Sequence, residues 1–205
     1  FFQTKQNFTG KKVLITAGPT YEAIDPVRFI GNHSSGLMGI EIARAFADQG
    51  ADVTLVLGPS NISPNRNNIK VLPVTSAKEM YDAVMTFFPK TDIAVLSAAV
   101  ADFRPETAAE QKIKKNPETD ILTLKLVKTD DILKSVGNKK TENQVVVGFA
   151  LETENGLENA KKKLHTKNID LIVLNEMNES GVGFKTKTNK VSIITLPTYQ
   201  TRCFT

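Results

Sequence analysis

The sequence has little of the cysteine, tryptophan and long apolar runs on which several classes of protein depend. One of its 205 residues is cysteine, Cys203, and none is tryptophan. A single thiol forms neither an internal disulfide nor a metal site of clustered thiolates, which favours a reducing, cytoplasmic setting. No apolar run approaches the ~20 residues that span a bilayer, and residues 1–10 lack the apolar core of a signal peptide. We therefore expect a cytoplasmic protein that does not bind membranes.

Aromatic residues are also few, with 11 phenylalanines and 3 tyrosines. No segment interleaves them with basic side chains in the way that base-stacking surfaces do, so no nucleic-acid partner is expected. The formal net charge of +4 suits polyanionic small molecules equally well. With 40% hydrophobic and 23% charged residues, the composition is that of a globular domain. We assign that domain to residues 11–205 and interpret residues 1–10 as a linker or N-terminal extension.

Short apolar runs alternate with helical patterns along the chain, which is typical of an α/β fold with a largely parallel sheet. The pattern predicts strands at residues 13–17, 53–57, 69–74, 93–100, 122–127, 145–149, 169–174 and 191–196. It predicts helices at residues 35–49, from a capping box at Ser76 and Glu79 to Pro89, at 130–136 and at 153–167. The polar segment 103–120 is interpreted as a flap. We expect a Rossmann-like, doubly wound, mostly parallel sheet with an inserted flap and dimerisation segment.

Two details of this prediction depend on periodicity. In the first helix the core side is expected to consist of Met38, Ile42, Ala45 and Phe46, with Gly50 at the C-terminal cap. Residues 93–100 are apolar apart from Ser97, as in a strand covered on both faces. That strand is therefore expected near the middle of the sheet.

The chain makes a long detour, residues 18–36, between the first strand and the first helix. The free N–H groups at that helix start favour an anion, although Ser34 or Ser35 as an ordinary N-cap explains the same residues. Two nucleotide motifs fail here. Leu37 and Met38 stand where a P-loop needs Lys and Ser or Thr, and Leu57-Gly58-Pro59 offers no acid for a dinucleotide ribose.

Three further stretches carry possible chemistry. Small residues at 97–101 allow a ligand to approach a strand end, and Asp102 either binds ribose or a metal ion or makes an Asx turn. The run Lys112-Ile113-Lys114-Lys115 is either solvated or positioned to neutralise a departing pyrophosphate. Lys163 and Lys167, four residues apart, either clamp phosphate or form a wet helix surface.

Six runs together resemble one family. They are residues 15–20 (ITAGPT), 25–28 (DPVR), 32–36 (NHSSG), 98–102 (AAVAD), 112–115 (KIKK) and 148–153 (GFALET). In this order they are similar to phosphopantothenoylcysteine synthetase, over roughly residues 11–191. The resemblance implies a ligase that joins 4′-phosphopantothenate to cysteine with CTP, through an acyl-cytidylate, in coenzyme A biosynthesis. It also implies a homodimer that is often fused to an FMN-dependent decarboxylase domain.

The resemblance and the loops described above imply a set of site residues. Asn32 and Lys112 are expected to be catalytic, and Arg28 and Asn32 are expected to bind substrate across the dimer. Mg²⁺ is expected on the CTP phosphates without direct protein ligands. The expected nucleotide-binding residues are Gly18, Ser35, Ala98, Asp102, Lys112, Asp130, Asp131, Ile132, Leu133, Phe149, Lys163 and Lys167.

The sequence departs from the family at three places. Leu37 stands where the family usually has Lys, Asp130 stands where it often has Pro, and residues 198–205 do not resemble its final helical segment. His33 and His165 lack metal-ligand spacing and are interpreted as structural or peripheral.

Apolar residues in the detour, Val27, Phe29 and Ile30, independently favour a homodimer. Two alternative functions remain open from the sequence: a Rossmann-type NAD(P)-dependent reductase and a noncatalytic nucleotide-binding module.

Overall fold

The computed structural model describes residues 6–115, 119–152, 154–176, 191–195 and 201–204. The strands are β1 (Lys12–Ala17), β2 (Tyr21–Ala23), β3 (Phe29–Gly31), β4 (Asp52–Leu57), β5 (Ile69–Pro73), β6 (Ile93–Leu96), β7 (Phe103–Pro105), β8 (Leu126–Lys128), β9 (Val145–Glu152), β10 (Leu171–Glu176), β11 (Val191–Thr195) and β12 (Thr201–Phe204). The helices are α1 (Leu37–Asp48), α2 (Ala77–Phe87), α3 (Ile132–Lys139) and α4 (Gly156–Thr166), and a 3₁₀ turn (Phe88–Lys90) follows α2.

The central sheet has eight strands in the order β12-β11-β10-β9-β6-β1-β4-β5. Within this sheet β5, β4, β1, β6, β9 and β10 are parallel. At one edge β11 pairs antiparallel with β10, and β12 pairs antiparallel with β11. Counted along the chain, the six parallel strands follow the order 3-2-1-4-5-6 of a dinucleotide-binding fold. The predicted doubly wound fold is therefore confirmed, and its topological switch point lies between β1 and β6.

Helices cover both faces of the sheet. On one face α1 packs with β1 and β4 through a core that includes Ile15, Ile40 and Leu55. On the other face α2, α3 and α4 share a second core that includes Met80, Val136 and Leu164. The predicted strand at 93–100 is β6, which ends at Leu96 and lies between β1 and β9, so its central position is confirmed.

The helix ends are partly as predicted. Ser76 and Glu79 form the expected capping box at the start of α2, and Gly50 follows α1 in the left-handed conformation at φ +89°. The prediction of Ser34 or Ser35 as N-cap of α1 is wrong, because Gly36 occupies that position. The two hydroxyls instead accept hydrogen bonds from Gly36 N and Leu37 N, each two residues further on.

The predicted core side of α1 is also wrong. The buried residues are Gly39, Ile40, Ala43 and Ala47, whereas Ala45 is exposed. Ile42 and Phe46 pack only partly buried at the edge of that core. The small residues Gly39 and Ala43 face the sheet because α1 lies close to it: a Cβ at Gly39 would be 2.5 Å from Ala17 Cβ.

Two small antiparallel sheets stand outside the main sheet. The detour folds into the hairpin of β2 and β3, and β7 pairs with β8 at the base of the flap. The predicted strand at 122–127 is wrong in extent, because only Leu126–Lys128 is extended and paired. The tail forms β12 rather than a helix, whereas residue 153 and residues 196–200 lie outside the described part of the chain.

Candidate active site

A cavity of about 500 Å³ lies at the carboxyl ends of the central strands. Thr16 of β1, Leu96 of β6 and Phe149 of β9 form its floor. Leu96, the last residue of β6, pairs with Gly148, so β9 continues beyond it and Phe149 borders the space where β6 has ended. Open α/β sheets bind ligands at this position, beside the switch point.

Most of the predicted nucleotide-binding residues line this cavity, although they come from separate segments of the chain. The structure brings together Ala98, Asp102, Asp130, Asp131, Ile132, Leu133, Phe149, Lys163 and Lys167. Gly148 keeps the wall beside them close to the sheet, since a Cβ there would be 3.0 Å from Leu133 Cδ2. Ile132, Leu133 and Phe149 give this part of the cavity an apolar surface.

The small residues after β6 are held against β1. Ser97 Oγ donates to the Thr16 carbonyl at 2.6 Å, and Thr16 Oγ1 accepts from Ala98 N at 3.2 Å. Ala101 N donates to Thr20 Oγ1 at 2.9 Å. These bonds hold the backbone of 97–101 along the cavity, where small side chains leave room for a ligand.

Three lysine side chains form part of the cavity lining. Lys163 Nζ donates to the Phe149 carbonyl at 3.4 Å, and Lys167 forms an ion pair with Asp131. Lys163 and Lys167 therefore both face the cavity rather than forming a surface turned away from it. Lys128, at the end of β8, adds a third cation to the lining.

Asp131 has two structural partners besides its place in the cavity. It is the N-cap of α3 and accepts from Lys134 N at 2.9 Å. Partial burial raises the pKa of its carboxyl, but the hydrogen bonds from Lys167 and Lys134 N outweigh burial and lower the pKa overall. Asp131 is thus ionised at neutral pH and offsets the charge of Lys167.

Asp102 and Asp130 stand exposed at the mouth of the cavity. The Asp102 carbonyl accepts from Thr129 N at 3.0 Å, and Thr129 Oγ1 donates to the Ala101 carbonyl at 2.7 Å. The two loops are therefore fixed to each other. Within the described ranges, no group of three or more His, Cys, Asp or Glu side chains is arranged to hold a metal ion.

Gly18, Ser35 and Asn32 are not part of the cavity lining, although Gly18 and Asn32 bond to the segment that borders it. The Gly18 carbonyl accepts from Ala99 N at 2.9 Å, and the Ser35 carbonyl accepts from Ser60 Oγ at 2.7 Å. Asn32 Nδ2 donates to the carbonyl of Val100, a lining residue, at 2.9 Å. The Asn32 side chain is thereby placed at the edge of the cavity.

Arg28 and Lys112 lie farther out, on the hairpin and the flap. Arg28 Nε and one terminal guanidinium nitrogen donate to Asp25 Oδ2 at 2.9 and 2.5 Å. The same terminal nitrogen donates to the carbonyl of Ile113, at 2.7 Å. Lys112, which is exposed, is thus next to a flap residue held by the hairpin.

Several lining residues were not predicted from the sequence. They are Thr16, Leu96, Phe103, Lys128 and Thr129, whereas Val100 belongs to the stretch 97–101 where a ligand was expected to approach. Lys128 and Thr129 directly precede Asp130 and Asp131 in the chain, so the end of a predicted strand beside an expected site was the signal for them. The others carry ordinary strand or loop side chains, which give no such signal.

These features define a class of protein: a Rossmann-type α/β domain with a nucleotide-sized cavity at its switch point and lysines in its lining. Residues 8–203 match the family described as DNA/pantothenate metabolism flavoprotein C-terminal domain, and the chain belongs to that family. No helix in the described part of the chain is long and apolar enough to cross a membrane.

Two relatives show how much of a longer protein the chain covers. A protein named cysteine/cysteine sulfinic acid decarboxylase, from an unknown prokaryotic organism, is 49% identical over 191 residues, 93% of this chain and 53% of that protein. The coenzyme A biosynthesis bifunctional protein CoaBC of Vibrio vulnificus (strain YJ016) is 47% identical over 193 residues, 94% of this chain and 48% of that protein. The chain thus spans about half the length of these relatives.

Solved structures share the fold. The crystal structure of the C-terminal domain of CoaBC is 37% identical, with a TM-score of 0.81 over 98% of this chain and 89% of that chain. A Cab2 variant in complex with phosphopantothenate-cysteine is 19% identical, with a TM-score of 0.77 over 95% of this chain and 79% of that chain. The second likeness is one of fold alone.

Proposed function

We propose that this domain is a ligase that joins 4′-phosphopantothenate to cysteine in coenzyme A biosynthesis, with CTP as co-substrate. The observation that carries the proposal is the cavity at the switch point, where most of the residues expected to bind the nucleotide meet. Family membership and the likeness to the CoaBC C-terminal domain support the reaction. The same fold holds phosphopantothenate-cysteine in the Cab2 complex.

The lining of the cavity suits a nucleoside triphosphate. Ile132, Leu133 and Phe149 offer an apolar surface on which a base packs, and Asp102 at the mouth is placed for ribose hydroxyls. Lys163 and Lys167 supply charge for the phosphates, and Lys128 is a further cation in the lining. When a phosphate binds Lys167, it competes with Asp131 for the same ammonium group.

The reaction makes limited demands on the protein. Attack of the substrate carboxylate on the α-phosphate of CTP gives the acyl-cytidylate and releases pyrophosphate, and the cysteine amine then attacks the acyl carbon and releases CMP. These steps need positioning and charge neutralisation rather than a covalent nucleophile. In the proposal, Lys112 on the flap neutralises the charge that develops on pyrophosphate, and Asn32 orients the acyl-cytidylate without adding charge.

The proposal includes a homodimer in which Arg28 and Asn32 contact substrate across the interface. The hairpin supports this part, because Val27 is 61% exposed and Phe29 is 52% exposed. Phe29 also stacks on Tyr21 with ring centroids 3.9 Å apart, which presents a flat apolar surface. Apolar groups exposed together in this way are typical of interfaces between subunits.

Mg²⁺ fits this site as a companion of the nucleotide. In the proposal the ion is held by phosphate and water oxygens without direct protein ligands, near the exposed carboxylates of Asp102 and Asp130. Mg²⁺ bound there neutralises phosphate charge.

The greater length and the names of the relatives support fusion to an FMN-dependent decarboxylase domain in the whole protein. The single cysteine supports a cytoplasmic location.

The test is turnover of CTP, 4′-phosphopantothenate and cysteine by the purified protein, followed as pyrophosphate and CMP release. Both products are expected in equal amounts, and neither is expected when phosphopantothenate is omitted. The strand order also suits a dinucleotide, so NAD(P)H is tested in parallel. Binding of NAD(P)H without binding of CTP would indicate a reductase. Binding of CTP without pyrophosphate release would indicate a noncatalytic nucleotide-binding module.

A further inference from the structure

Asp25 is a buried carboxylate whose contacts reach two separate elements of the protein. Its side chain has no exposed surface, although the Arg28 side chain beside it is 41% exposed. Oδ1 accepts from Val27 N at 2.8 Å and from Arg28 N at 2.9 Å, which closes the turn between β2 and β3. Oδ2 accepts from the Arg28 guanidinium and also from Ile113 N at 3.1 Å, so the second oxygen reaches the flap.

Both backbone polar groups of Ile113 are held by this pair of side chains. Ile113 N donates to Asp25, and the Ile113 carbonyl accepts from Arg28 at 2.7 Å. A third bond, from Ala109 N to the Ile24 carbonyl at 2.9 Å, fixes the flap four residues earlier. The flap is thereby tied to the hairpin on either side of residues 110–112, which include Lys112.

We propose that Asp25 is a positioning residue that fixes the flap backbone at Ile113 and thereby holds Lys112 for the reaction. This inference rests on the proposed function, in which Lys112 acts on the departing pyrophosphate. Asp25 does not contact substrate in this account. It acts through Arg28 and Ile113, and its loss leaves Lys112 present but no longer oriented.

Only a carboxylate satisfies all the donors around this position. The two oxygens together accept from three backbone N–H groups and from the guanidinium. Asn has one acceptor and one donor group. In Asp25→Asn the amide oxygen therefore serves either the turn or the flap, and the NH₂ group faces donors on the other side. The pairing of charge with Arg28 is lost in both orientations.

The experiment combines kinetics with amide exchange on the complete domain. Asp25→Asn is expected to lower kcat by about 10- to 100-fold, as misplacement of a catalytic group does, with a much smaller change in the affinity for CTP. At saturating 4′-phosphopantothenate the double variant Asp25→Asn/Lys112→Ala is expected to turn over at the rate of Lys112→Ala alone. Under that condition the contact of Asp25 with Arg28, a substrate-binding residue, does not limit the rate, so Asp25 acts on turnover through the lysine. Hydrogen exchange in a peptide that spans residues 109–115 is expected to become faster in Asp25→Asn.

Asp170→Asn is the matched control. Asp170 also joins a basic side chain to a backbone amide, accepting from Lys140 Nζ at 2.6 Å and from Val146 N at 2.7 Å. It lies before β10, at the end of the sheet opposite the cavity. This variant is expected to keep wild-type kcat and wild-type exchange in the flap.

The outcomes separate this inference from the proposed function. If Asp25→Asn lowers kcat by the same factor in the wild type and in the Lys112→Ala variant, the role of Asp25 is refuted. The ligase reaction itself is not affected by that result. No turnover by the wild-type protein would overturn the proposed function itself. If Asp25→Asn does not fold, the wild-type Ile113 amide decides the question. Its exchange is expected to be slower than that of an unstructured peptide, and exchange at the unstructured rate would refute the tie.

Discussion

Gly137→Ala is expected to displace Lys167, a residue of the cavity lining, through a backbone contact between α3 and the end of α4. Gly137 is buried in α3, and a Cβ built there would lie 1.7 Å from the carbonyl oxygen of Lys167. Cβ contacts under 3.0 Å essentially do not occur, so the two segments must separate by about 1.3 Å. Asn168 Nδ2 donates to the Gly137 carbonyl at 2.8 Å and resists this separation. The added methyl group therefore displaces the backbone that carries Lys167.

Two opposing contributions set the size of the effect on stability. Overpacking of a close contact costs about 1–3 kcal/mol, while Ala in place of Gly within a helix contributes up to about 1 kcal/mol. We expect a net loss of about 1–2 kcal/mol in the free energy of unfolding, which for a domain of this size lowers the midpoint by about 2–4 °C per kcal/mol. Displacement of Lys167 is expected to lower turnover as well.

Thermal or urea unfolding and steady-state kinetics test this prediction. Asn138→Ala is the matched control, because Asn138 is the next residue of α3 and is exposed. It is expected to be neutral or slightly stabilising and to leave turnover unchanged. A Gly137→Ala variant as stable and as active as the control would refute the argument that close approach of α3 to the end of α4 positions Lys167.

Four further predictions concern the flap, the hairpin and the edge of the cavity. Lys112→Ala is expected to lower kcat by at least ~10-fold with little change in CTP affinity, because its charge acts in the transition state; equal losses in kinetics and calorimetry would indicate ground-state binding. Phe29→Asp is expected to give monomers in sedimentation at micromolar concentration, and a monomeric wild-type protein with full activity would contradict the dimer. The hydrogen bond from Arg28 holds the pKa of Asp25 well below its usual range. The ionised Asp25 carboxylate therefore stabilises the folded state above the unfolded-state pKa of about 3.9, and this stabilisation is lost as pH falls toward the folded-state pKa. Urea midpoints measured against pH are expected to fall less below about pH 4 in Asp25→Asn than in the wild type. Asn32→Asp is expected to release pyrophosphate but not CMP, because a carboxylate repels the phosphate of the acyl-cytidylate; mass spectrometry detects that intermediate, and normal turnover would refute the role.

The fold was predictable from the sequence because the central strands are apolar on both faces. Residues 13–17 and the run after Asp92 are covered by helices on either side, so nearly all of their residues are apolar. The order of such runs along the chain indicates the class of fold. The hairpin and the base of the flap gave no comparable signal. Their strands have three residues each, and polar or exposed side chains interrupt them.

The error in α1 has a physical cause. Periodicity favours large apolar residues as the core side of a helix, but this helix turns glycine and alanine toward the sheet because it lies very close to it. Any side chain at position 39 would clash with Ala17 and Ser97, and Ile40 is the one large residue among the four buried residues of α1. Interaxial distance is a tertiary property, so local pattern did not reveal which face was buried.

The contacts within the candidate site could not be predicted from local sequence pattern. Asp131 and Lys167 are separated by 36 residues, and their ion pair depends on the approach of α3 to the end of α4. Asp25 and Ile113 are separated by 88 residues, and nothing near either residue in the sequence indicates the other. Contacts of this kind follow from topology, so the motif at residues 25–28 does not by itself indicate a role for Asp25.

In the proposed reaction, the nucleotide is bound at the central sheet, whereas the chemical steps depend on residues of connecting segments. The nucleotide cavity rests on strands whose residues are fixed by the sheet, with Thr16 held against Ser97 and Ala98. The groups proposed for chemistry, Asn32 and Lys112, are exposed and lie on connecting segments outside the two hydrophobic cores. Such segments need separate ties to hold a geometry, because a catalytic group misplaced by about 1 Å costs on the order of 10²-fold in rate. The hydrogen bond from Asn32 to Val100 and the bonds around Asp25 are these ties. Because the hairpin also carries the exposed Phe29, association of two subunits at that surface would stabilise the same element to which the flap is tied. The proposed dimer and the proposed position of Lys112 are therefore expected to depend on each other.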